Sequence, residues 1–245
     1  MKSFGIIIPA RYASTRFPGK PLQDLGGKSM IQRVVEAAIF VAPHAGVAVA
    51  TDDIRIAEHV AEYCEVVMTS SHHPSGTDRC AEALEKLGWN CEVVVNLQGD
   101  EPFIKTQQIH DLVAAFNDSS VQIATLKKWI HTEEDINNPN VVKVVCSKHH
   151  KALYFSRSTI PFQRNTTNSE LRYYKHLGVY AFLNPILKEV VQLPVSGLES
   201  AEMLEQLRWL ENGYHISVIE TNFASPAVDT PDDVAKAMAF LNSVE

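Results

Sequence analysis

Apolar positions follow two alternating patterns along the first half of this chain. Phe4 to Ile8 is an unbroken apolar run, as expected of a strand covered on both faces. Met30 to Val41 has helical spacing, with Ile31, Val34, Val35, Ala38 and Val41 on one side and Gln32, Arg33 and Glu36 interleaved. Val47 to Ala50 predicts a second strand ending at Thr51-Asp52-Asp53, where Asp52 or Asp53 can cap a helix from Ile54 to Tyr63. A strand over Val66 to Met68, a helix opened by Thr77 or Asp78 and running to Leu87, a buried strand over Val93 to Leu97 and a helix from Gln107 to Phe116 continue the alternation. Strand and helix thus recur roughly every 25 to 30 residues, the rhythm of a parallel sheet covered by helices.

The second half is less regular. Val141 to Cys146, Ala152 to Phe155 and Leu177 to Phe182 read as strands, with a polar stretch from Gln163 to Arg172 among them. A single helix is predicted from Leu198 to Leu210, a strand from Ile216 to Ile219, and a closing helix from Pro231 to Leu241 with proline at its start. The predicted fold class is α/β, a mainly parallel sheet sandwiched by helices and Rossmann-like, with an irregular α+β elaboration in the second half. One domain spans residues 1–245: a core to about 130, an elaboration over about 131–230, and the closing helix over about 231–245.

Composition narrows the function classes. A chain of 245 residues, 45% hydrophobic and 21% charged, is an ordinary globular protein. Its formal net charge of −7 argues against a nucleic-acid binder. Cys64, Cys80, Cys91 and Cys146 are scattered without a Cys-x-x-Cys pair, which removes zinc-ribbon and thioredoxin-like readings. The chain enters a strand by Phe4, leaving no room for a signal peptide, and no apolar run reaches the length of a membrane span. The expectation is a soluble cytoplasmic protein with no membrane partner.

Against that acidic background, the loop after the first strand stands out. Ala10 to Pro21 carries Arg11, Arg16 and Lys20 among small residues, stiffened by Pro18 and Pro21. Small spacers let a backbone approach a ligand, and clustered cations suit a polyphosphate. Gln98-Gly99-Asp100-Glu101 ends the Val93 strand, and by right-handed crossover the two loops share one edge of the sheet. Asp100 there is well placed to bind Mg²⁺, which takes one or two carboxylates plus phosphate oxygens. Asp229, ahead of the closing helix, is a second candidate that either caps the helix or reaches the metal. Ser75-Gly76-Thr77-Asp78-Arg79 enters a helix, where backbone N–H groups and hydroxyls can read a base edge or merely cap. The adjacent pairs His72-His73 and His149-His150 are poorly arranged for one ion. Glu199, Glu202 and Gln206 fall on one face of the predicted helix, either solvated or holding sugar hydroxyls.

These motifs together resemble the 3-deoxy-manno-octulosonate (KDO) cytidylyltransferases. The likeness runs through Ile8-Pro-Ala-Arg-Tyr-Ala-Ser-Thr-Arg16, Pro18-Gly-Lys-Pro21, Ala50-Thr-Asp52, Ser75-Gly-Thr-Asp-Arg79 and Gln98-Gly-Asp-Glu-Pro102. It continues through Asn138-Pro-Asn140, Val142-Lys-Val144, Ala152-Leu-Tyr-Phe-Ser-Arg157, His176-Leu-Gly-Val-Tyr180, Leu204-Glu-Gln-Leu-Arg208 and Val228-Asp-Thr-Pro231. The resemblance implies a nucleotide-diphosphosugar-transferase-like fold, a homodimer, and the reaction of CTP with KDO to give CMP-KDO and pyrophosphate for lipopolysaccharide synthesis. It implies that Ala10, Arg11, Arg16 and Lys20 hold the triphosphate and that Ser75, Gly76, Thr77 and Asp78 read cytosine. Lys20, Arg11 and Asp100 are then catalytic, and Asp100 and Asp229 carry Mg²⁺. Arg79, Gln98, Arg157, His176, Tyr180, Glu202 and Gln206 are expected to line the sugar site. The sequence leaves open a related acid sugar, such as 8-amino-KDO or sialic acid, and a catalytically silent nucleotide-binding regulator.

Overall fold

The first apolar run lies inside the sheet. In the computed structural model, which describes residues 2–13, 17–42, 46–165, 171–223, 228 and 230–244, β1 (Phe4–Ala10) is buried from Gly5 to Ala10. It pairs in parallel with β2 (Val47–Thr51) on one side and β4 (Val93–Asn96) on the other, so Ile7 lies between Ala48 and Asn96. β3 (Glu65–Met68) adds in parallel beyond β2. The alternation of the strand separates two layers. Ile6 and Ile8 pack on α1 (Met30–Val41), α2 (Ile54–Val60) and α4 (Thr106–Ala114). Ile7 faces α3 (Gly76–Leu87), α6 (Asn184–Val190) and α8 (Gln206–Glu211). Asp53 caps α2 by accepting from Arg55 N at 3.0 Å, one of the two candidates foreseen.

The strand order is β3-β2-β1-β4-β8-β5-β9. β8 (Tyr174–Leu183) runs antiparallel between β4 and β5 (Ile123–Trp129), and β9 (Ile216–Glu220) is parallel to β5. β6 (Lys143–Cys146) and β7 (Ala152–Ser156) form an antiparallel pair attached to the outer end of β8. α5 (Glu133–Asn137) precedes them, and α9 (Pro231–Val244) closes over Leu25, Met30 and Phe103. The mainly parallel α/β sheet predicted from the sequence is the one observed.

Several local readings are corrected. β5 was not foreseen, because Lys127 and Lys128 interrupt its apolar run. Lys127 is nevertheless buried, with Nζ 3.9 Å above the Tyr174 ring and 3.6 Å from Glu220. α5 and α6 were also missed; both span less than two turns, too short for a clear helical period. The single helix predicted over Leu198 to Leu210 is two, α7 (Gly197–Glu202) and α8, broken at Met203 in the left-handed conformation (φ 53°). The break is fixed from both sides. Ser196 and Glu199 form a capping box at the start of α7, and Arg208 donates to both Glu199 oxygens at 2.7 Å. Glu199, Glu202 and Gln206 therefore share no continuous helical face.

Lys143, at the start of β6, is fully buried and its ammonium donates to three carbonyls: Asn138 at 2.9 Å, Val141 at 2.7 Å and Arg157 at 2.6 Å. Burial lowers its pKa. One side chain thus ties the Asn138–Val141 turn to the end of β7.

Candidate active site

Because β1 and β4 are parallel neighbours, the loops after Ala10 and Asn96 leave the same edge of the sheet. They enclose a cleft of about 330 Å³ with the turn that opens α3. Ala10, Arg11, Lys20, Ser75, Gly76, Arg79, Gln98 and Asp100, all predicted site residues, line it together. Arg16 and Asp229 lie outside the described residues. Gly99 is needed here because a Cβ would sit 3.0 Å from the Pro9 carbonyl oxygen, so any larger residue forces the two loops apart. Gly19, at φ 72°, supplies the left-handed turn that presents Lys20 at the start of a short 3-10 helix. Its N–H donates to the Tyr12 carbonyl at 2.9 Å, closing the first loop, and Arg55 stacks 3.4 Å above the Tyr12 ring.

Across the cleft, Lys20 Nζ lies 2.7 Å from Asp100 Oδ2. Asp100 keeps 38% of its side chain exposed, so its carboxylate is open to a ligand. Arg79 is buried and held from behind, donating to Thr69 Oγ1 at 2.6 Å and lying 3.3 Å from Asp52 Oδ2. His73 also lines the cleft, its Nε2 bonded to Glu82. Burial works against charge on Glu82, but Lys86, the Ser70 N–H and His73 outweigh it and hold the carboxyl at about 2.

Ser75 caps α3 by accepting from Asp78 N at 3.1 Å, and Thr77 follows in the first turn with its side chain buried. Both hydroxyls contact Glu205, at 2.7 Å from Ser75 and 2.9 Å from Thr77. Glu205 was missed in the sequence. It stands between Leu204 and Gln206 in a segment read as uninterrupted helix, and the break after α7 is what turns it toward α3. Burial raises its pKa to about 7.

The remaining predicted sugar residues form two further groups. His176 packs against Phe155 and Tyr180, with ring centroids 4.9 and 5.3 Å away, and Thr125 Oγ1 lies 3.0 Å from its Nε2 at the bulge in β5. Desolvation drops its pKa to about 3, so the imidazole is neutral near pH 7. Tyr180 is 6% exposed and its hydroxyl has no hydrogen-bond partner among the described residues. Arg157 and Glu202 pair mainly with each other: Arg157 N donates to Glu202 Oε2 at 2.9 Å and its Nε to the Glu202 carbonyl at 2.8 Å. Ser156 Oγ takes the other Glu202 oxygen at 2.5 Å. Gln206 is buried at the start of α8.

A Rossmann-like sheet whose first loop sets cations against a carboxylate at its carboxyl edge defines a nucleotidyltransferase, and the Cytidylyltransferase family model matches residues 5–218. The 3-deoxy-manno-octulosonate cytidylyltransferase of Parabacteroides distasonis is 53% identical over 250 residues, covering 98% of each chain. That of Bacteroides thetaiotaomicron is 52% identical, covering 99% of each. The solved structure of CMP:2-keto-3-deoxy-manno-octonic acid synthetase complexed with CTP superposes with a TM-score of 0.92 at 42% identity, covering 99% of this chain and 100% of that one. The chain belongs to the 3-deoxy-manno-octulosonate cytidylyltransferase family.

Proposed function

We propose that this protein transfers CMP from CTP to the anomeric 2-hydroxyl of KDO, releasing pyrophosphate and activating the sugar for lipopolysaccharide synthesis. The observation that carries this reading is the cleft itself, where Arg11 and Lys20 face Asp100 beside the Ser75–Asp78 turn. The full-length likeness to relatives of that name supports the choice of substrates. Arg11 and Lys20 hold the phosphates and offset charge that develops on the leaving pyrophosphate as the oxygen of the sugar attacks the α-phosphorus in line. The Ser75–Asp78 turn holds the base, and Gln98 and Arg79, which line the same cleft, contact the sugar. His176 and Tyr180, both uncharged near pH 7, are assigned to the sugar by the same reading.

Asp100 suits a magnesium ion, its carboxylate being exposed in the cleft where the phosphates are held. Magnesium needs only one or two protein carboxylates where phosphate oxygens complete its shell. Asp100 and Asp229 would hold it. When bound, magnesium supplies charge neutralisation and makes the attacking hydroxyl more acidic.

A homodimer is part of the same reading. Leu153 on β7 is 62% exposed and Phe162 beyond it 85% exposed, apolar surface in the irregular half that a second copy would cover. Sedimentation is expected to give a dimer, and replacing both by Ser is expected to give monomers. No helix of the described residues is long and apolar enough to cross a membrane.

The deciding assay measures pyrophosphate release from CTP and Mg²⁺ with KDO, its 8-amino analogue and N-acetylneuraminic acid in parallel. Release with KDO in preference to the other two is expected. Release with N-acetylneuraminic acid alone would reassign the substrate, and CTP binding without release from any sugar would favour a regulator.

A further inference from the structure

A chain of hydrogen bonds runs beneath the base-side wall of the cleft, and its protons can be counted. Gln98 Nε2 donates to Asn96 Oδ1 at 3.0 Å, which leaves Asn96 Nδ2 to donate to Thr77 Oγ1 at 3.3 Å. The Thr77 proton then goes to Glu205 Oε2 at 2.9 Å. The other Glu205 oxygen meets Ser75 Oγ at 2.7 Å, and Ser75 Oγ also meets Asp78 Oδ2 at 2.5 Å while accepting from Asp78 N. A serine hydroxyl owns one proton. It can satisfy one of the two carboxylates; the other must bring a proton of its own.

The surroundings decide which. Asp78 lies in the first turn of α3, where the helix dipole favours a negative charge. Glu205 is desolvated and close to Asp78, and both effects favour its neutral form. The Ser75 and Thr77 hydroxyls and, more weakly, Arg208 on α8 oppose them without outweighing burial, and the Arg208 guanidinium is committed to Glu199 by two 2.7 Å bonds. The other titratable groups facing Glu205 are Cys80 on α3 and Tyr180 on β8, both buried with raised pKa values and uncharged.

We propose that Glu205 is held as a neutral carboxylic acid and is a positioning residue, donating to Ser75 so that Ser75 donates to an ionised Asp78 and the base-recognising turn keeps one fixed polarity. The functional part rests on the reading of Ser75–Asp78 as the turn that holds the base. An ionised Asp78 is an acceptor that matches an exocyclic amino donor such as that of cytosine. Loss of the Glu205 proton leaves two carboxylates competing for one hydroxyl and forces the turn to rearrange.

Two measurements test this on the full-length protein. The side-chain carboxyl ¹³C resonances of labelled glutamate are followed by NMR from about pH 5 to about pH 9, with Glu205 assigned by its loss in Glu205→Gln. A midpoint near 7 is expected; a midpoint below about 5 overturns the proposal. CTP affinity is then compared at about pH 6 and about pH 8.5 in the wild type and in Glu205→Gln, so that titration of CTP itself cancels in the ratio. The amide donates and accepts in the same sense at every pH, so the wild type is expected to lose about tenfold more affinity than the variant on going alkaline. Equal losses overturn the positioning role. A protein that binds no CTP at either pH refutes the functional reading, and the NMR midpoint still decides the proton.

Discussion

Asp100→Asn is expected to lower kcat at least about 10³-fold, or roughly 4 kcal/mol, without unfolding the protein. The amide is nearly isosteric, but it brings no charge to a cleft where Lys20 Nζ lies 2.7 Å from the carboxylate. A metal ion at this position depends on that charge, because magnesium binds neutral amides poorly against water. The side chain is 38% exposed and the amide oxygen can still accept from the less exposed Lys20, so the change in folding free energy is expected within about 1 kcal/mol. Steady-state pyrophosphate release and a denaturation curve on the same preparation check both halves. Normal turnover from the variant removes Asp100 from the metal site and from catalysis.

Lys143→Met is the opposite case, with a large expected loss of stability. The substitution keeps an apolar stem of similar length in a fully buried position but removes the ammonium that three carbonyls share. Buried acceptors left without a donor each cost about 1–3 kcal/mol, and relaxation of the Asn138–Val141 turn recovers part of it. Destabilisation of roughly 3–5 kcal/mol is expected, a large share of the stability of an ordinary domain. Urea unfolding measures it directly, and a change below about 1 kcal/mol would mean that water reaches the carbonyls when the lysine is gone. Arg157 follows β7 directly and its carbonyl is one of the three, so CTP-dependent turnover is expected to fall with stability as that segment loosens.

Legibility followed the length of the signal. α1 was read over its observed bounds, because six of its residues face the core at helical spacing. β1, β2 and β4 are buried on both faces, and the short β3 keeps an apolar centre at Val66 and Val67. The Ala10–Lys20 and Gln98–Asp100 loops were legible because a parallel sheet puts such loops on one edge. What escaped were features fixed by distant partners. β5 hides a buried lysine whose charge is met by Tyr174 and Glu220, and nothing within Ile123–Trp129 announces either. The α7–α8 break depends on Arg208 reaching back to Glu199, and a helical wheel drawn through Leu198–Leu210 cannot contain it. Glu205 stayed hidden for that reason, although a glutamate beside Leu204 and Leu207 in an apolar stretch was a local clue. The same break separated Glu202 from Gln206 and joined Glu202 to Arg157.

The position of β8 has a consequence for how the chain reaches its native state. During synthesis β1 to β4 emerge first and can form a four-stranded parallel sheet, but its β4 edge, wholly apolar except for Asn96, then awaits a partner more than 75 residues downstream. β5 emerges in the interval with neither of its neighbours made, since β8 and β9 both follow it. Until Tyr174–Leu183 slides between β4 and β5, the nascent protein carries an unpaired apolar strand edge, the form of exposed backbone most prone to pairing with another chain. Closure of the sheet is therefore a late, long-range event, and the β4 edge is covered only once that strand is in place.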